Sequence, residues 1–287
     1  MKRPQDIAVE ESSMSTIVTL TNAFEGLASM RIAQIKNQVL QSQQFFSDLW
    51  AIYSQIRIDN LFRFGRHESD KVNDKALFIA ITAEGGFSGD IDQRLIKQMM
   101  GDYNPDKHDI IIIGHHGALQ LKQAGIEYKK FFKLPEKDHN INIAPLVTEV
   151  RKYKAAYVYF QTYQSLMVQD TKRIELSQAV QELGRNVEKN ETINEKTYIF
   201  EPNSFAVVAH LERSMLEVTL AQVILDSKLA QYASRFRAMS VANDRSSDSL
   251  KELHTAYNRA RRMQSDERLK EIINGLKKSS RQVGAAA

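Results

Sequence analysis

The sequence predicts an α/β fold in which two long terminal helices pair as an antiparallel coiled coil around a central domain with a mostly parallel sheet. Three observations predict it. No glycine or proline occurs between Pro202 and Gly275, and an apolar repeat of 3.5 residues runs through most of that stretch. A second stretch without either residue, 27–64, carries a repeat of the same period. Between them, short apolar runs alternate with glycine turns and helical segments, the pattern of a strand-helix domain.

The first element is the N-terminal helix, expected over residues 15–64. Its seam reads Ala28, Ile32, Ile35, Val39, Ser42, Phe46, Leu49, Tyr53 and Ile56, in steps of four and three. Such steps mark a helix that supercoils around a partner. The central domain is expected over 74–201. Seven of the twelve glycines lie between Gly85 and Gly125, and three of the five prolines between Pro105 and Pro145, so the turns concentrate here. Residues 76–82 read as a buried strand, followed by a glycine turn and a helix over 90–100. Residues 109–113 form a second strand, again followed by a glycine turn and a short helix. Residues 143–154 are helical, 157–163 alternate as a strand, and 168–176 and 196–201 complete a Rossmann-like sheet. Residues 186–195 are polar and read as a loop.

The C-terminal helix is expected over 203–278. Its seam is Leu211, Met215, Val218, Gln222, Leu225, Leu229, Tyr232, Phe236, Met239, Asn243, Ser246, Leu250, Leu253, Tyr257 and Ala260, of which twelve of fifteen are apolar or aromatic. At about 1.5 Å per residue such a helix reaches roughly 110 Å, about twice the width of a compact chain of this length. It is therefore expected to protrude from its own domain. The polar run NDRSSDS at 243–249 interrupts the seam and reads as a stretch without a burial partner, or as the point where the partner changes. The last residues, SSRQVGAAA, read as a frayed tail.

Composition excludes several classes of function. The chain has no cysteine, which removes disulfides, thiolate metal sites and cysteine nucleophiles. Its net charge of +4 is a small excess among 74 charged residues and does not imply nucleic acid. The polar start MKRPQDIAVEESS lacks the apolar stretch of a secretory signal, and no run is long enough to span a bilayer. The expectation is a protein of a reducing compartment that reaches a membrane only through a partner.

No motif carries catalysis. GGFSG at 85–89 could cradle phosphate on its amides, but it is not GxGxxG, and no GxxxxGK[ST] occurs; a structural turn explains it. His115 and His116 sit at a strand end without further ligands at metal spacing and read as a polar loop pair. Asp90 and Asp92 lie in a first helical turn, where acids complement the helix dipole. Arg259, Arg261, Arg262 and Arg268 crowd the last third of the long helix, with Arg235 and Arg237 further back. They read either as a solvated face or as charge-assisted contacts to a surrounding protein. No cofactor is expected.

The chain resembles one family. ASRFRAM at 233–239, YNRAR at 257–261 and LKEIING at 269–275 resemble the AARMxAM, YNxARQ and ELxEIxxG of the gamma subunit of the F-type ATP synthase. Further likenesses come in the same order: TNAFE at 21–25 with Ala28 to TKAMExxA, ITAEGGFSG at 81–89 to ITSDRGLCG, and GHHG at 114–117 to GxKG. YVYFQTY at 157–163 resembles the family's central strand, and YIFEP at 198–202 its YxYEP. The resemblance covers residues 21–277. It implies a central shaft turning within a ring of alpha and beta subunits, its foot on the membrane rotor ring beside the epsilon subunit. It implies contacts to the alpha and beta head from Arg235, Tyr257, Asn258, Arg261, Arg262, Asp266 and Glu267, and contacts to the rotor ring and epsilon from Tyr198, Phe200 and Glu201. It implies no catalytic residue, no bound nucleic acid, no membrane insertion, and a place on the cytoplasmic face of the bacterial inner membrane. Glu10 and Glu11, Asn22, Phe24, Gln231 and Arg262 depart from the family pattern. They point to a divergent branch, such as the alternative, often sodium-linked, ATPases found beside the ordinary enzyme in some bacteria. The other reading is a stand-alone ligand- or nucleotide-binding α/β protein that dimerises through its coiled coil.

Overall fold

The computed structural model describes residues 2–56, 72–135, 142–185, 201 and 203–284. Eleven elements follow in order: α1 (Pro4–Ile56), β1 (Ala76–Ile81), α2 (Ile91–Asp102), β2 (His108–Ile113), α3 (His115–Gln123), β3 (Lys130–Phe132), α4 (Ala144–Val150), β4 (Ala156–Tyr163), β5 (Gln169–Glu175), α5 (Leu176–Arg185) and α6 (Ser204–Gly284). They form two compact units, Leu27–Ala238 and Met1–Gly26 with Met239–Ala287.

The larger unit is built on a five-stranded sheet of order β3-β2-β1-β4-β5. The first four strands are parallel, and β5 returns antiparallel beside β4. The central strands are nearly continuous apolar runs because both of their faces are covered. Phe78, Ala80, Ile110, Ile112 and Tyr159 point to one face, where Leu95, Ile96 and Met99 of α2 and Ala118 and Leu121 of α3 pack. Their alternates Leu77, Ile79, Ile81, Ile111, Ile113, Val158 and Phe160 point to the other. There they meet α4, α5, Phe46 and Tyr53 of α1, and Leu211, Met215, Leu216, Leu220, Val223 and Ile224 of α6. Thus α6 is a core element of the sheet domain as well as a partner for α1. The helix pair itself closes over Ile32, Ile35, Leu225, Leu229 and Ala233. The Tyr53 hydroxyl donates to Glu212 Oε1 at 3.0 Å.

The smaller unit holds the first turns of α1 against the later part of α6. The Thr21 hydroxyl lies 3.2 Å from Asn243 Oδ1, and His254 Nδ1 lies 2.8 Å from Glu11 Oε1. Chain numbers fall on one side as they rise on the other, so the pair is antiparallel. α1 starts at Pro4, well before residue 15, with Pro at the first helical position and Asp6 in the first turn. Its seam extends toward the start through Ile7, Glu11, Met14, Val18, Thr21 and Glu25, none of them exposed. The four-three spacing persists there, but the polar Glu11, Thr21 and Glu25 conceal it. On α6 none of the fifteen seam positions is exposed. The reading of 243–249 as a stretch without a partner is corrected: Asn243 meets Thr21 across the seam.

Other differences are local. α6 begins where the Asn203 side chain accepts the Ala206 amide at 2.8 Å, a cap for an otherwise unpaired donor. The helix expected over 143–154 is only Ala144–Val150. The three-residue β3 is too short to give a period, and α5 follows β5 without a turn residue to announce it. The polar segment 186–195 and most of the strand expected at 196–201 lie outside the described residues.

Candidate functional site

Parallel α/β sheets place their ligand crevice at the carboxyl ends of the strands, where the strand order reverses. In this sheet that point lies between β1 and β4, and α6 reaches into it. The turn after β1 explains how. Gly114 has φ +96°, and a Cβ there would lie 2.0 Å from the Thr82 carbonyl oxygen; one on Gly117 would lie 2.7 Å from the Thr82 methyl. The Gly117 amide donates to Thr82 Oγ1 at 2.9 Å. The two glycines of GHHG therefore seat the start of α3 directly on the end of β1. This correctly brings His116 inward, while His115 stays exposed.

His116 Nδ1 lies 3.1 Å from Asp92 Oδ2. Asp92 is 2% exposed. Its carboxylate also accepts the Ala83 amide at 3.2 Å and the Gln161 amide at 2.7 Å. Gln161 Oε1 in turn accepts from the Ser227 hydroxyl and, at 3.4 Å, from Gln231 Nε2. A buried chain of polar groups thus runs from α3 through α2 and β4 to α6. Asp92 holds the His116 imidazole above its ordinary pKa by hydrogen bonding, opposed by burial and by Arg235, and assisted by Glu84. Two sequence readings change here. His115 and His116 open a helix rather than form a loop. Asp92, besides sitting in a first turn, is the hub of a buried network; Asp90 pairs with Arg94, at 3.3 Å.

The glycine turn 85–89 completes the junction. Its carbonyl oxygens are engaged by α6: Ser88 accepts from the Ser234 hydroxyl at 2.7 Å, Gly86 from Arg235 Nε at 3.1 Å and Gly85 from the same guanidinium at 3.3 Å. Gly89 has φ +67° and lies where a Cβ would be 3.6 Å from Ser234 Oγ. The Arg235 guanidinium also sits 5.2 Å from the Tyr232 ring. Nearby, Arg237 donates to the Met167 carbonyl at the β4–β5 tip, at 3.0 Å. So Arg235, expected at the alpha and beta head, is engaged within its own domain. Sequence reasoning missed Ser227, Gln231 and Ser234 as a set. Their spacing of four and three, on small or uncharged polar side chains, was the available signal.

The other expected contact residues lie apart from this junction. Tyr257 and Asn258 are half-buried on α6; Arg261, Arg262, Asp266 and Glu267 are exposed. Every described side chain from 261 to 276 is exposed, including Leu269, Ile272, Ile273 and Leu276, which share one helical face. With Glu11 opposite His254, Pro4 falls opposite Arg261, so α1 ends where this stretch begins. Glu201 is exposed; Tyr198 and Phe200 lie outside the described residues. Among the described residues no cluster of three acidic or histidine side chains could hold a metal, and no helix is long and apolar enough to cross a membrane.

A family model described as ATP synthase matches residues 5–277. The chain is 24% identical over 277 residues to the ATP synthase gamma chain of Clostridium novyi, covering 92% of this chain and 93% of that one. It is 26% identical over 276 residues to the ATP synthase gamma chain of Streptococcus suis, covering 89% and 91%. Its fold is similar to a chain in the Euglena gracilis mitochondrial ATP synthase structure of OSCP, F1 and c-ring, with TM-score 0.64 at 14% identity over 95% of this chain and 94% of that one.

Proposed function

The chain belongs to the ATP synthase family, among its gamma chains, and from that premise we propose that it is the central rotor shaft of a rotary F-type ATP synthase. Ion flow turns a membrane ring, the ring turns this chain, and the chain drives the catalytic beta subunits through their conformational cycle. The chain makes and breaks no bond itself. Its partners are the alpha and beta subunits of the head, the epsilon subunit and the membrane ring. It sits peripherally on the cytoplasmic face of the bacterial inner membrane.

The observation that carries this reading is the end of α6. An apolar stripe of Leu269, Ile272, Ile273 and Leu276, preceded on the helix by Arg261, Arg262 and Arg268, is exposed beyond the pairing with α1. A helix with an uncovered apolar face is built to be enclosed by something else. We assign Tyr257, Asn258, Arg261, Arg262, Asp266 and Glu267 to contacts with the head. Arg235 would act there through its hold on the glycine turn, and Tyr198, Phe200 and Glu201 would contact the ring and epsilon. The junction accords with a structural role for the glycine turn: the carbonyls of Gly85, Gly86 and Ser88 bind it to α6.

Co-expression with alpha and beta subunits tests it. The expected product holds one copy of this chain among three alpha and three beta. Deleting the residues after Tyr257 should abolish coupled turnover while leaving the melting temperature of the isolated chain nearly unchanged, because the described residues removed are almost all exposed. If alpha and beta assemble and hydrolyse ATP without retaining this chain, the shaft reading fails.

A further inference from the structure

The turn that joins α2 to β2, residues 103–107, is closed by Asn104 and sewn to the start of β1. The Asn104 carbonyl accepts the Lys107 and His108 amides at 3.1 and 2.9 Å, and its side-chain oxygen accepts the Asp106 amide at 2.9 Å. The Pro105 carbonyl accepts from Lys75 Nζ at 2.9 Å, and the Lys107 carbonyl from the Ala76 amide at 2.9 Å. The Asn104 amide itself donates to His108 Nδ1 at 3.0 Å.

A backbone amide can only donate, so Nδ1 is the acceptor, and the ring is neutral with its proton on Nε2. Stacking fixes the ring in that place: Phe78 of β1 lies with its centroid 4.1 Å away at 20°, and Tyr103 at 6.3 Å. Protonation turns Nδ1 into a second donor facing the first. Turning the ring over would put a carbon there instead. Either way Asn104 loses its acceptor. Because Asn104 is exposed, water takes up the freed amide, and the turn opens at small cost.

The charged groups around the ring keep it neutral. Arg173 of β5 and Lys107 beside it oppose a further positive charge. Asp102 at the end of α2 favours one, but it already accepts from the Tyr159 hydroxyl at 2.8 Å and from Arg173 at 3.3 Å. β4 adds a phenol, Tyr157, set against Phe78 at 5.9 Å. Burial, Arg173 and Lys107 together hold the His108 pKa below its ordinary value, against the pull of Asp102.

We infer that His108 is an acid-released latch: its protonation frees the α2–β2 turn at the amino edge of the sheet, while the same acid firms the His116–Asp92 pair at the carboxyl edge. The sheet therefore answers acid with opposite sign at its two ends. The folded state binds the His108 proton less tightly than the unfolded chain does. The latch is thus closed above about pH 6.5 and opens as pH falls through the folded value. It lies within the sheet domain and does not depend on the shaft reading.

Amide exchange of the full chain, followed by NMR from about pH 8 to about pH 5 with the His108 ring proton titrated alongside, tests it. One proton is taken up per opening. The protection factor of the Asn104 amide should therefore fall about tenfold per pH unit towards the His108 pKa and be lost below it. Ile111, 0% exposed in the sheet core, should stay protected. His108→Asn puts an oxygen where Nδ1 stands and cannot titrate; it should keep Asn104 protected with no dependence on pH. His108→Phe keeps a stacking ring without the acceptor and should leave Asn104 unprotected at every pH. The wild-type titration carries the test should either variant fail to fold. Asn104 protection that ignores pH, that follows pH equally in His108→Asn, or that is lost together with Ile111 would overturn the inference, as would a His108 pKa above 6.5.

Discussion

The pairing of α1 with α6 is built differently in the two units. In the larger unit α6 has a third neighbour, the sheet. Met215, Leu216, Leu220 and Ala230 are each 0% exposed, and buried polar residues such as Glu212, Ser227, Lys228, Gln231 and Ser234 are hydrogen-bonded to α1 or to the sheet domain. In the smaller unit only two helices meet. Among its described residues, the buried apolar side chains are Ile7, Met239 and Ala260, and a polar pair, Thr21–Asn243, occupies facing seam positions. Two cylinders in contact can bury only a strip of each, whereas a helix lying on a sheet and against a second helix is covered over most of its girth. A continuous helix therefore draws its stability from packing in one unit and mainly from its own backbone bonds and a narrow seam in the other.

Core truncation should expose that difference most strongly. Leu220→Ala should cost about 2–5 kcal/mol, since it opens a cavity in the sheet core. Leu253→Ala, half-buried in the smaller unit, should cost only about 1 kcal/mol. Chemical denaturation of both variants checks this, and equal losses would break the contrast.

The network at the sheet end sharpens it through pH. Asp92→Ala leaves the Ala83 amide and the Gln161 amide without their acceptor and should cost about 1–3 kcal/mol. His116 has its folded pKa raised above the ordinary 6.5, chiefly by the Asp92 hydrogen bond. The folded state then binds the proton more tightly than the unfolded chain. The contribution of His116 is full below about pH 6.5 and is lost as pH rises through the folded value. The stability difference between the wild type and His116→Gln should therefore shrink on going from pH 6 to pH 9. A difference that grows with pH would contradict the assigned partnership.

The smallest effect belongs to the seam of the smaller unit. Asn243→Leu should change stability by less than about 1 kcal/mol and in the favourable direction, because Thr21 still has the Ile17 carbonyl at 3.0 Å. The native chain has no cysteine, so introduced pairs report alignment directly. Glu11→Cys with His254→Cys should form a disulfide in the wild-type background. Val18→Cys with His254→Cys, displaced by one heptad, should form none, because Ile32, Ile35, Phe46 and Tyr53 on the same helix fix its alignment in the core.

Much of this architecture was legible because it repeats. The four-three seam of α6 and the apolar runs of β1, β2 and β4 are periodic signals, and burial reads them faithfully. The first turns of α1 were not legible, since Glu11, Thr21 and Glu25 hold seam positions with polar side chains, and Glu11 and Thr21 meet partners more than 200 residues away. The junction was hidden for the same reason. Asp92, His116, Gln161, Ser227 and Gln231 come from four elements that only the sheet topology assembles. Gln161 in particular looks like an ordinary polar alternate in a strand until α6 covers it. The contacts proposed for residues 257–267 rest on resemblance alone, because the side chains from 261 on are exposed and have no internal geometry to check.

The Thr21–Asn243 pair has one more consequence. Apolar seams are forgiving vernier scales: slide one helix by seven residues, and the large side chains meet large side chains again. Here such a slide would bring Met14 or Ala28 opposite Asn243, according to its direction, stranding an amide against an apolar side chain. The pair therefore works as a fiducial mark, written into two otherwise interchangeable scales, that makes one alignment distinguishable from its near copies at almost no energetic expense.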